Sequence, residues 1–73
     1  MRVIQAGVGG FGTSWLYAVK ECEGFEHVAL VDPSQEALAS AGQITGVPQE
    51  RQFARLEDAL ATVEADGLID VTP

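Results

Sequence analysis

The chain has 73 residues, which allows one small domain and no more. A domain of that length buries only about 60 % of the surface its unfolded chain exposes. Its 47 % hydrophobic and 21 % charged residues are enough to fill a modest core. The formal charge of −7, from 4 basic and 11 acidic residues, argues against a nucleic-acid partner, because an acidic surface repels phosphate backbones. No basic amphipathic stretch and no long apolar run points to a membrane. The single cysteine, Cys22, excludes an internal disulfide and a cysteine-zinc cluster. With no leader-like pattern after Met1, the expected compartment is the reducing cytoplasm.

The first expected element is a buried strand, Arg2 to Ala6, which runs into glycines. Trp15, Ala18, Val19 and Cys22 then recur at helical spacing, with Gly12 opening the same face, and the helix should stop by Gly24. Cys22 is expected as a small core residue and Trp15 as packing, while His27 should be exposed at the start of the next strand. That strand, Glu26 to Val31, carries the continuous apolar run of a parallel sheet covered on both faces. Asp32-Pro33-Ser34 begins a second helix packed through Ala37, Leu38 and Ala41, weakened by Gly42 and ended by Gly46 ahead of Pro48. Gln52-Phe53 is a brief third strand, and Leu56, Ala59, Leu60 and Val63 mark a third helix. Leu68 to Thr72 is the last strand, with Asp70 inside it on the same side as Thr72, where a buried carboxylate needs a partner. Four strands alternating with three helices predict an α/β fold with a parallel sheet; as the first part of a Rossmann-type doubly wound sheet, it is expected by fold analogy to take the order 3-2-1-4.

The chemistry concentrates in Gly7-Val8-Gly9-Gly10-Phe11-Gly12, a G-x-G-x-x-G pattern between a strand and a helix. Gly7 makes the tight turn, Gly9 lets a pyrophosphate approach the backbone, and Gly12 lets helix and strand pack closely. The start of the helix offers free N–H groups and the positive end of its dipole. Alone, the pattern also fits a glycine-rich turn that binds nothing. Asp32 lies twenty residues after Gly12 at the end of the second strand, the place of the carboxylate that accepts ribose hydroxyls in dinucleotide folds. It also reads as a helix N-cap, with Gln35 three residues on as in a capping box, and the two roles are compatible. A carboxylate here repels the 2′-phosphate of NADP, so NAD is the expected cofactor. Thr72 and Pro73 follow the last strand, at the sheet end where ligands of such folds lie. No metal-ligand cluster or catalytic triad is visible.

Taken in order, Val3 to Gly12, Val31-Asp32-Pro33, Gly46-Val47-Pro48 and Asp66 to Pro73 resemble the start of the Gfo/Idh/MocA oxidoreductases, the glucose–fructose oxidoreductase and inositol dehydrogenase family. The resemblance runs over essentially the whole chain. It implies a dinucleotide-binding domain at residues 1–73, incomplete at its C-terminal end, from a homo-oligomeric enzyme that moves a hydride between NAD(P) and a sugar, inositol or similar polyol. It implies that Gly7, Gly9, Gly10, Phe11 and Gly12 face the pyrophosphate, that Asp32 holds the ribose, and that Thr72 and Pro73 lie by the nicotinamide. Three features depart from the family pattern. Trp15 stands where many members have a His, and Arg55 where an acidic or hydroxyl residue often caps the third helix. The family's Glu-Lys-Pro motif, with its catalytic lysine, falls after Pro73, so this chain is expected to carry cofactor binding and no catalytic residue. The rival readings are a non-enzymatic module that senses NAD, a methyltransferase, and a fragment with no function of its own.

Overall fold

The computed structural model describes residues 1–71, so the expectations for Thr72 and Pro73 lie outside the described residues. The elements are β1 (Arg2–Ala6), α1 (Phe11–Glu21), β2 (Glu26–Val31), α2 (Gln35–Thr45), a 3-10 turn (Gln49–Arg51), β3 (Gln52–Phe53), α3 (Leu56–Thr62) and β4 (Gly67–Asp70). The strands form one parallel sheet in the order β3-β2-β1-β4, the expected start of a doubly wound α/β Rossmann-type fold.

The two central strands read as continuous apolar runs because both of their faces are covered. On one face, Val8, Leu16, Leu30, Leu38, Ala41 and Val47 form a cluster under α1 and α2. On the other, Ile4, Ala6, Val28, Ala29, Val31 and Ala59 pack beneath α3. The register between β1 and β2 shifts between Val3 and Ile4: Val3 pairs with His27, and Ile4 pairs with Ala29. Val28 is the extra residue of this bulge, and a bulge re-aims the side chains that flank it. Here it puts His27 on the α1 face beside Gln5, to which it hydrogen-bonds.

The rotation of α1 differs from the expected one. Its buried residues are Gly12, Leu16 and Val19, whereas Trp15, Ala18 and Cys22 are exposed. The cause is Gly12. A Cβ there would lie 2.2 Å from the Gly7 carbonyl oxygen, so only a glycine can face β1 at this point. Leu16 and Val19 follow it at i+4 and i+7, and the apolar residues beside them are turned off the core. Trp15, Ala18 and Cys22 instead line an open groove of about 400 Å³ that also reaches Val3, Leu68 and Ile69. Cys22 is therefore a surface thiol and not a core residue.

Helix α2 begins two residues later than the sequence suggests. Ser34 is its N-cap, accepting from the Ala37 N–H at 3.2 Å, and Pro33 lies before the helix. Gly46, at φ 81°, supplies the left-handed C-cap. Gly42 does not interrupt the helix; a Cβ there would meet the Gln52 amide at 2.3 Å, and that amide donates to the Val47 carbonyl. The missing side chain lets the 3-10 turn and β3 fold back against α2.

β4 is shorter than expected and forms a sheet edge. Its start is held by Asp66, whose carboxylate accepts the Arg2 N–H at 2.9 Å while its own N–H donates to the Arg2 carbonyl at 2.7 Å. That hydrogen bond, with the nearby guanidinium, holds the Asp66 carboxyl below the usual carboxylate range. Leu68 and Asp70 are exposed, so Asp70 is not the buried carboxylate the sequence suggests; an edge strand is covered less fully than the central strands. Leu60, counted with the packing face of α3, is exposed as well.

The glycines of the turn should therefore differ in what they cost to replace. Gly12→Ala should destabilise the protein by about 1–3 kcal/mol, as over-packing does. Gly9→Ala should stay within about 0.5 kcal/mol, because a Cβ there meets only the Ala37 Cβ, at 3.4 Å. Urea denaturation of the two variants measures the difference, and equal losses would contradict this packing.

Candidate functional site

The turn from β1 to α1 leaves the C-terminal end of the sheet between its two central strands. Gly7, at φ 90°, turns the chain, and its N–H donates to the Val31 carbonyl at 2.8 Å. Gly10, at φ 56°, is the N-cap of α1. Both positions require the left-handed backbone that glycine adopts without strain. Gly12 is required by its contact with Gly7. Gly9 is different. Its φ is not in the left-handed region, and its missing Cβ has room. Three glycines of the turn are thus explained by the chain's own geometry, and Gly9 is not.

Gly9, Gly10 and Phe11 are exposed. Among the described residues, their N–H groups donate to no protein acceptor, whereas those of Gly12 and Thr13 bond back to Gly9 and Gly10. Gly10 has no side chain to cap the helix, and the first turn of α1 carries no acidic residue. The result is a helix start with open donors and the positive end of a dipole over an exposed backbone. The Phe11 side chain, 88 % exposed, points away from the core, so this position contributes its backbone to the turn.

Asp32 stands at the end of β2, partly buried, next to this turn. It is not the N-cap of α2. One carboxylate oxygen accepts the Ser34 N–H at 2.8 Å, an Asx-type turn, and the other accepts the Val8 N–H at 3.1 Å. The second bond ties the carboxylate to the middle of the glycine turn. A carboxylate can accept about four hydrogen bonds, so acceptor capacity remains on both oxygens. The structure thus brings Gly7, Gly9, Gly10, Phe11, Gly12 and Asp32 together around one end of the sheet. Thr72 and Pro73 lie outside the described residues.

Gln5, which the sequence pattern marks only as part of a short strand run, belongs to the same site. Gln5 is fully buried. Its amide nitrogen donates to the Gly7 carbonyl at 3.0 Å and to the Gly12 carbonyl at 2.8 Å, bridging the two ends of the turn. Both amide protons are used, so its oxygen is left to accept from His27 Nε2, 2.8 Å away. His27 is half-buried rather than exposed, and burial lowers its pKa. A polar residue amid buried apolar ones, two positions before the turn, was the available signal, because buried amides find partners.

No protein-family model and no curated protein matches the chain. Solved structures do. The chain is similar to the WlbA dehydrogenase from Chromobacterium violaceum in complex with NADH and UDP-GlcNAcA, at 31 % identity and a TM-score of 0.86, over all of this chain and 21 % of that one. It is similar to the WlbA dehydrogenase from Bordetella pertussis, also in complex with NADH and UDP-GlcNAcA, at 32 % identity and a TM-score of 0.85, over all of this chain and 22 % of that one. A myo-inositol dehydrogenase from Corynebacterium glutamicum shares the fold, with a TM-score of 0.86 at 20 % identity over all of this chain and 21 % of that one. The chain spans about a fifth of the length of these proteins.

His27 gives the site a pH signature. Its pKa in the fold lies below the ordinary 6.5, so between the two values the unfolded chain binds more protons, and stability rises with pH. The stability of the neutral, buried ring is complete above pH 6.5 and is withdrawn as pH falls through 6.5 toward the folded value. His27 is the single histidine of the chain. Urea midpoints measured from pH 8 to 5 should fall further for the wild type than for His27→Gln; parallel curves would contradict the burial of the ring.

Proposed function

We propose that this chain is the cofactor-binding front of an NAD-dependent oxidoreductase of the Gfo/Idh/MocA family, with the pyrophosphate of NAD lying on the turn from Gly7 to Gly12. The observation that carries the proposal is Gly9. The folded chain has room for a side chain at this exposed position and needs no left-handed backbone there, yet the residue is glycine. A ligand that must touch the backbone accounts for it. The unengaged N–H groups of Gly9, Gly10 and Phe11 supply what a pyrophosphate accepts, at the start of an eleven-residue helix whose dipole favours negative charge. Asp32 accepts the adenosine ribose hydroxyls with its remaining lone pairs and disfavours a 2′-phosphate. Thr72 and Pro73, following β4, belong by the nicotinamide.

When bound, NAD supplies a two-electron hydride carrier. The part of this chain is to hold it: Gly9, Gly10 and Phe11 through backbone N–H groups, Gly7 and Gly12 by setting the turn, and Asp32 by fixing the ribose. The likeness to two dehydrogenases solved with NADH and UDP-GlcNAcA supports a sugar or polyol as the substrate of the whole protein. The catalytic groups are proposed to lie in further sequence, beyond an incomplete domain. The exposed Trp15, Leu60 and Leu68, and the edge position of β4, support such a continuation, which would cover them. The exposed free thiol of Cys22 fits a reducing cytoplasm.

Isothermal titration of NAD and NADP into the protein tests this reading. NAD should bind more tightly than NADP, and Gly9→Ala should weaken NAD about tenfold or more, a loss of about 1.4 kcal/mol, with its urea midpoint unchanged. Asp32→Ser should narrow the ratio between the two cofactors. The ratio is the quantity to read, since Asp32 also holds the Val8 N–H. Preference for NADP, or undiminished binding by Gly9→Ala, would overturn the assignment.

A further inference from the structure

We propose that Gln5 is a positioning residue for the pyrophosphate turn, and that His27 braces its amide through the oxygen. The inference rests on the reading of the turn as the NAD site and adds to it two residues that make no contact with the ligand. The geometry is a chain of three hydrogen bonds. Gln5 Nε2 donates to the carbonyls of Gly7 and Gly12, at 3.0 and 2.8 Å, and so clamps the entry and exit of the turn to one side chain. The Val8, Gly9 and Gly10 carbonyls between them accept from Thr13 Oγ1 and from the Gly12 and Thr13 N–H groups, while the Gly9, Gly10 and Phe11 N–H groups donate to no protein acceptor among the described residues. His27 Nε2 lies 2.8 Å from Gln5 Oε1.

The direction of the amide is not free. Were the Gln5 amide reversed, its oxygen would face two carbonyl oxygens and its NH2 group would face the imidazole. The two carbonyls therefore set the direction of the amide, and donation from His27 Nε2–H to its oxygen completes a set in which every contact pairs a donor with an acceptor. The β-bulge at Val28 brings the imidazole to this face. Burial favours the neutral ring, and because the Gln5 oxygen can only accept, that ring carries its proton on Nε2. A buried network of this kind has a defined geometry only when each member is satisfied. Among the described residues no buried side-chain nitrogen or oxygen lacks a partner.

The role makes a distinction that simple core packing does not. Loss of the clamp should spoil the pyrophosphate site while sparing the ribose site, because Asp32 is held by Val8 and Ser34. In the full protein, Kd for NAD and for adenosine should be measured by NMR titration for wild type, Gln5→Met, His27→Leu, His27→Gln and the Gln5→Met/His27→Leu double variant. Gln5→Met should weaken NAD about tenfold and adenosine less than about twofold, the size expected from one lost set of buried hydrogen bonds. His27→Leu should weaken NAD about threefold, and His27→Gln, which keeps a donor where Nε2 lies, should recover most of that loss. The double variant should be no worse than Gln5→Met, since the two residues act through one contact. His27 is half-buried, so its variants keep the test readable even if Gln5→Met unfolds. NAD binding unaffected in His27→Leu, or equal losses for NAD and adenosine in Gln5→Met, would overturn the proposal while leaving the NAD site standing. A wild type that binds no NAD would overturn both.

Discussion

The structure depends on the approach of Gly12 to the Gly7 carbonyl. A Cβ on Gly12 would come within 2.2 Å of that oxygen, so the contact exists only because the side chain is absent. The approach sets the rotation of α1 and thereby chooses Leu16 and Val19 as its core residues. It also brings the carbonyls of Gly7 and Gly12 close enough for one amide, that of Gln5, to satisfy both. Asp32 holds the Val8 N–H from the other side. The turn is thus fastened at Gly7, Val8 and Gly12, and the stretch from Gly9 to Phe11 is left as exposed backbone over a helix start. A rigid frame around an open set of donors is what a ligand phosphate needs, because the donors then require no reorganisation on binding.

The electrostatics fit the same picture. The chain carries a formal charge of −7 and four basic residues. Arg2 pairs with Asp66 at the far end of the sheet, and Arg55 pairs with Glu57 at 2.5 Å on the surface. Arg51 closes the 3-10 turn and Lys20 sits in the last turn of α1. In the proposed site a pyrophosphate would be held by backbone N–H groups and the helix dipole. Asp32, close by, adds negative charge that a ribose tolerates and a further phosphate does not. Selectivity for the cofactor and affinity for it would therefore come from different atoms.

Much of this was legible in the sequence. The parallel sheet follows from apolar runs alternating with helical spacing, because burial on two faces leaves little choice of residue in β1 and β2, and the strand order follows by analogy once the glycine pattern points to a dinucleotide fold. The glycine positions were legible because a steric demand at one atom restricts the residue completely. What was not legible depended on three-dimensional placement. The rotation of α1 was misjudged because Trp15, Ala18 and Cys22 match helical spacing as well as Leu16 and Val19 do; only the Gly12 contact separates them. The partial burial of His27 is not legible because the bulge at Val28, which reverses its side, leaves no mark in the apolar pattern. Asp32 looked like an N-cap until the structure gave that role to Ser34 and gave the carboxylate to Val8. Gln5 was missed for the opposite reason: its polarity was visible, but its partners are carbonyls that no sequence pattern displays.

The most direct measurement is a two-dimensional amide NMR titration of the ¹⁵N-labelled protein with NAD. The account predicts saturable shifts largest at the N–H groups of Gly9, Gly10 and Phe11, with smaller ones at Val8 and Ser34, the two partners of Asp32. Gly24 and Gly46, which are glycines in left-handed turns elsewhere in the fold, should not move. Saturable binding that leaves Gly9, Gly10 and Phe11 unshifted, or no binding at all, would contradict the assignment of this turn to a dinucleotide.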